Sequence, residues 1–281
     1  MNRARLRKRT SFWLIHLGLL VWLVIALAPP VMLLAASLNR TALFRSPVDL
    51  LLLRDFSLEN FGAAFVAGDF WFFFTNSLII STAAVVITLV VCVPLAYGLN
   101  KIGDRQRNAV SFGVLAMRFI PYVVLALPMF LIFVQIGLTG SRVGLVLAHL
   151  AIHIPFATWM LVGFFATVPR ELEEAGIVDG CSPWRLFWNV SLPVVRSGVI
   201  ALAILVFIIS WNEYLFALFL AGAGAQPLTV GITRFLGGAE IGAQYGVIAA
   251  YAVLIVAPVI FFALAANRYI VSGMTAGAVK G

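Results

Sequence analysis

Few residues in this chain of 281 could do chemistry. Two charges, Arg118 and Glu213, lie well inside long apolar segments. Two histidines, His149 and His153, stand four apart, on one face of a helix. That is metal-ligand spacing, but no Glu lies between them and no third ligand is near in the sequence. Polar packing inside a helix bundle is the simpler account, and no metal site is expected. Of the eleven acidic residues, Glu171, Glu173, Glu174 and Asp179 crowd into one polar stretch running from Pro169 to Pro193. None of the three lysines, Lys8, Lys101 and Lys280, belongs to a GxxxxGK[ST] run, so no phosphate-cradling loop can be built. There is no GxSxG, no HExxH and no kinase set. The chain is read as a non-enzyme that binds no cofactor of its own.

The elements that must position these residues are set by composition. Mean hydropathy is +1.06. Charged residues make up 11%, against roughly 25% in a soluble domain. The net charge of +8 does not point to nucleic acid, because the basic residues sit at the ends of apolar segments and form no stripe with aromatics. Six segments are long enough to cross a bilayer: about 12–38, 71–99, 109–136, 143–168, 198–220 and 244–266. The expected fold is all-α: one polytopic transmembrane domain over 1–281, with six transmembrane helices in contact with lipid. The first apolar run follows an Arg-rich arm and is too long for a signal peptide. With the N-terminus inside, thirteen Lys and Arg fall on the cytoplasmic side and five on the other. That bias places both termini and the 169–193 stretch in the cytoplasm. Ser57–Phe65 reads as a short interfacial helix.

The polar stretch has its own local logic. Pro169 suits a first turn, and Glu171, Glu173 and Glu174 follow where the helix dipole favours negative charge. Asp179-Gly180 ends that helix. Ser182 caps a second helix with Pro183 at its first position, and Pro193 marks the exit. The reading is a helix–turn–helix presented at a membrane surface, which is a docking element.

Glu174-Ala175-Gly176, Asp179-Gly180 and Leu192-Pro193 together resemble the EAA loop of ABC importer permeases. One departure is Gly176 where the family has a second Ala, which loosens the helix by up to about 1 kcal/mol and makes Gly176→Ala a change expected to be tolerated. Ser57-Leu58-Glu59-Asn60-Phe61, Asn76-Ser77, Trp211-Asn212-Glu213-Tyr214 and Gly277-Ala278-Val279-Lys280-Gly281 resemble carbohydrate-type permeases, in particular the second permease subunit of maltose-like systems. The resemblance implies a bacterial inner-membrane location. It implies a second homologous permease, a dimer of ATP-binding subunits that carry ATP and Mg, and an extracytoplasmic solute-binding protein. It assigns coupling to the ATPase to the loop 169–193, through Glu171, Glu174, Ala175, Gly176, Asp179, Gly180 and Pro193. It assigns a further ATPase contact to the tail residues Gly277, Ala278 and Lys280.

The translocation path is read from the cost of polar groups in lipid. Arg118 stands about 14 Å and Glu213 about 22 Å from the cytoplasmic face, so each must face the bundle interior or a watery path. Asn76, Asn212 and the nearby aromatics Tyr122 and Tyr214 complete the candidate set. Pro94, Pro121, Pro128 and Pro155 are expected to kink their helices. The rival reading is a self-sufficient secondary transporter or channel, which would need ion-coupling carboxylates at mid-membrane. Only Glu213 qualifies, and the docking stretch would go unused.

Overall fold

A computed structural model describes residues 3–40, 46–67, 69–235 and 241–278. Among them secondary structure is helical, apart from one isolated bridge between Asn39 and Phe56. Five helices are long and apolar enough to cross a membrane, and a sixth crossing is available if one bent pair counts as a span. The chain divides into two compact units.

The first unit comprises residues 1–69 and 232–255. Its long helix α1 (Arg3–Ser37) leads to α2 (Pro47–Leu51) and α3 (Glu59–Ala67). A short helix is therefore present where one was expected, and its Ala64 is buried. Two asparagines hold the corner. Asn60 donates to the carbonyls of Ser37 and Asn39, and Asn39 donates to those of Ala35 and Leu50. Gly246 lies against Asn60, where a Cβ would stand 2.5 Å from its amide nitrogen. Along α1 the side chains from Phe12 to Val31 are exposed apolar surface, as a lipid- or protein-facing helix requires.

The second unit comprises 70–231 and 256–281. α4 (Phe70–Leu99) and α7 (Arg142–Phe165) are its centre, and they match the expected second and fourth spans closely. Ser141 caps α7 by accepting from the Gly144 N–H at 3.0 Å. Two apolar clusters fill the interior. One gathers Phe133, Leu145, Phe216 and Leu220; the other gathers Leu161, Phe165, Phe187 and Val206.

Two spans differ from expectation. The segment 109–136 is not one helix. It is α5 (Asp104–Ala116), a 3₁₀ turn Met117–Phe119, and α6 (Tyr122–Gln135), bent by 86°. The cause is Pro121, which pushes Ile120 out of the helical region to ψ 121. Pro94, Pro128 and Pro155, by contrast, lie inside continuous helices.

The segment 198–220 is also not one span. The crossing helix runs from Pro183 to Trp211. It comprises α9 (Pro183–Leu186), a π-helical turn Phe187–Ser191 and α10 (Leu192–Trp211). The chain then breaks at Glu213–Tyr214 before α11 (Leu215–Leu220). The second helix of the expected helix–turn–helix is thus the foot of the fifth span. Pro193 sits in its first regular turn rather than at an exit. Proline has no N–H to give the carbonyl four residues back and clashes with it, and a wide π turn immediately before it relieves both faults.

α12 (Leu228–Gly231) closes the far end of this unit, and α13 (Ile241–Ala278) includes the last span. The Gly140 N–H donates to the Leu220 carbonyl, and Gly140 lies backbone to backbone against Gly222. A Cβ on Gly222 would stand 2.8 Å from the Gly140 Cα, where no side chain can yield. Gly222→Ala should therefore cost about 1–3 kcal/mol. Thermal unfolding of the purified protein in detergent would show it, and an unchanged midpoint would refute the contact.

Candidate functional site

The polar stretch folds into α8 (Arg170–Val178) followed by α9. The turn between them is a Schellman motif. The Gly180 N–H donates to the Ile177 carbonyl and the Cys181 N–H to the Gly176 carbonyl, with Gly180 at φ +77°. Ser182 caps α9 through the Arg185 N–H. The sequence-expected turn and cap are both in place.

α8 has an inner and an outer face. On the inner face Gly176 is buried against Leu186, and a Cβ there would meet Leu186 Cδ2 at 2.5 Å. That geometry changes the expectation for Gly176→Ala. Leu186 is itself buried, so it resists the shift, and overpacking outweighs the gain in helix propensity. On the same face Glu173 pairs with Lys101 Nζ at 2.5 Å and accepts from Ser191 Oγ at 2.7 Å. Partial burial raises the Glu173 carboxyl, but the bonds from Lys101 and Ser191 and the Lys101 charge outweigh it. The net shift is downward, so the pair is complete at neutral pH and is lost only as pH falls through the carboxylate range. The outer face shows Glu171, Leu172, Glu174, Ala175, Ile177, Val178 and Asp179 to solvent, with Val178 88% exposed. Leu172, Ile177 and Val178 thus stand exposed among the acidic groups of this helix. Pro193 is exposed on the spanning helix, away from this surface in sequence and in element.

The tail residues Gly277 and Ala278 end α13. Lys280 lies outside the described residues.

The proposed path residues are only partly gathered. Glu213 sits at the break in the fifth span. Its carboxylate accepts from the N–H groups of Phe216 (2.8 Å) and Ala217 (3.1 Å), and it lies 3.6 Å from His149 Nε2. His149 Nδ1 meets Ser210 Oγ at 2.7 Å. Thr229 donates to the Glu213 carbonyl. Glu213 thus satisfies backbone donors that the break sets free, which no lipid could do. Arg118 lies over the Phe156 ring at 4.5 Å, just before the bend at Pro121. Tyr122 opens α6 beside Phe216, with ring centroids 6.1 Å apart. Tyr214 and Asn212 are exposed at the break, and the Asn212 amide turns back to the Ile208 carbonyl. Asn76 is fully buried elsewhere, accepting from Arg142 Nε at 2.7 Å and donating to the Gln226 carbonyl at 2.9 Å. It pins the 221–228 segment. Sequence reasoning missed Glu173, whose acidic neighbours look identical to it; His149 is packed among polar groups of the bundle as expected, though its partner Glu213 is 64 residues away in the chain.

Residues 93–276 match the family model described as "binding-protein-dependent transport system inner membrane component". The chain belongs to this family. A probable ABC transporter permease of Sinorhizobium fredii is 34% identical over 224 residues, covering 80% of each chain. A trehalose transport system permease of Mycobacterium tuberculosis is 32% identical, covering 98% of this chain and 99% of its own length. A bacterial ABC transporter that imports the acidic polysaccharide alginate has a chain of the same fold, with a TM-score of 0.79 at 22% identity over 96% of this chain and 98% of its own. As a family member the chain is a multi-pass inner-membrane transport component and not an enzyme.

Two substitutions check the site. Glu213→Ala should strip two amides of their acceptor and cost about 1–3 kcal/mol, while Glu213→Gln, which keeps an acceptor, costs less. Gly176→Ala should lower the unfolding midpoint. Both are read in detergent-purified protein, and a Glu213→Ala chain as stable as wild type would remove the capping role.

Proposed function

We propose that the chain is a permease subunit of an ATP-driven importer for a carbohydrate or related polyol. It forms the membrane pathway with a second, related permease. A dimer of separate ATP-binding subunits docks on α8, and a solute-binding protein delivers cargo on the opposite side. The observation that carries this reading is α8 itself: a short helix clamped on its inner face and bare on its outer face. ATP-driven closure of the partner dimer would draw α8 with it and rock the bundle between two states. The trehalose and alginate systems among its relatives support a sugar-like cargo. In this topology both termini and α8 are cytoplasmic, and the tail from Gly277 to Lys280 reaches the ATPase. ATP and Mg bind on the partner.

A self-sufficient transporter is not favoured. Glu213, its only candidate mid-membrane carboxylate, spends both oxygens on the α11 backbone.

Co-expression with the cognate ATPase should give a complex, with hydrolysis stimulated by loaded binding protein. Gly180→Val, which forces a β-branched residue to φ +77°, should abolish that stimulation while the chain still inserts. Glu174→Lys should do the same, and full stimulation in either variant would remove α8 from the docking role. For topology, an impermeant thiol reagent should label Ala223→Cys, an exposed site near the far end, from outside intact cells. It should leave Cys181 untouched, and labelling of Cys181 would reverse the orientation.

A further inference from the structure

Given that α8 docks an ATPase, we infer that Glu173 is the positioning residue through which motion of α8 reaches the second span as well as the fifth. Three elements meet at its carboxylate. Glu173 itself lies on α8, Lys101 just past the end of α4, and Ser191 in the π turn below α10. A cleft of about 650 Å³ separates α8 from Ile102, Gly103 and Asp104, and the Lys101–Glu173 pair bridges its rim. Leu186 already packs α8 on to the foot of the fifth span. Among the described residues, the polar contact that carries α8 across to the α4 end is the pair with Lys101.

The receiving side is stiff. Lys101 Nζ lies over the Tyr97 ring at 4.5 Å. Tyr97 in turn meets Phe165 at the end of α7 and Phe187 in the π turn, with centroids 5.7 and 5.0 Å apart. A pull on Lys101 is therefore delivered to α4, α7 and the π turn together. The link is also ionised at working pH, since the Glu173 carboxyl is held below its ordinary range. Glu171 and Glu174 are exposed on the same helix, and among the described residues the carboxylate paired with Lys101 is that of Glu173.

The test asks whether α8 and α4 move as one body. Native Cys181, just past α8, and Leu95→Cys, an exposed position on α4, take spin labels, while Cys92 is fully buried. The complex with its ATPase subunits is first isolated; if the unsubstituted chain forms none, the proposed function fails, and this inference with it. In the complex, MgATP with vanadate should leave the Cys181–Leu95→Cys distance unchanged. Glu173→Gln should make that distance shift or broaden on adding the same nucleotide. The exchange Glu173→Lys with Lys101→Glu should restore the unshifted distance. If Glu173→Gln prevents assembly, the exchange decides: recovery of complex and distance upholds the link, and failure overturns it. A nucleotide-driven shift without substitution, or none in Glu173→Gln, also overturns it while leaving the docking role of α8 intact.

Discussion

Inside a bilayer a backbone N–H or C=O that leaves a helix finds no water, and each orphan costs several kcal/mol. This constraint governs three of the places where the second unit departs from straight helices. The fifth span stops at Trp211, and a carboxylate supplies acceptors to two of the amides that α11 leaves open. The segment 221–228 turns back into the unit, and Asn76 and Ser77 bond its carbonyls and amide. Gly140 and Gly222 let two loops touch so that the Leu220 carbonyl finds a donor. Glu213, Asn76 and Ser77 are therefore explained first by the backbone they serve.

The opposite end of the unit obeys a different rule. There α8 is held by side-chain packing and charge instead of by backbone necessity. Its inner face contacts Leu186, Lys101 and Ser191; its outer face keeps Leu172, Ile177 and Val178 bare. A short helix so arranged is tied to the bundle on one face and bare on the other.

Much of this was legible in the sequence, for identifiable reasons. α4 and α7 are uninterrupted apolar runs with clear ends, so hydropathy alone located them. Gly180 was legible because a Schellman turn demands a left-handed residue after Asp179. The break at Glu213 was not, because apolar residues resume at Leu215 and hydropathy runs straight through to Leu220. Asn212-Glu213 did flag the place, but a buried carboxylate reads equally as a path residue or a cap until its donors are located. Pro193 was misread because proline at a helix start and proline at a loop exit leave the same trace. Glu173 stood among three acids in one helix turn, and its inward role depends on Lys101, which sequence distance hides.

The π turn at Phe187–Ser191 has a geometric consequence of its own. It spends one more residue than an α-helix would over the same length, so it rotates everything on its N-terminal side by about 100° about the axis. That angular offset aims Leu186 at Gly176 and Phe187 at Tyr97 while leaving Trp184 and Trp188 facing out. The turn acts as a phase adjuster. The part of the helix that crosses the membrane keeps the face its bundle needs, and the part that meets α8 keeps a different one.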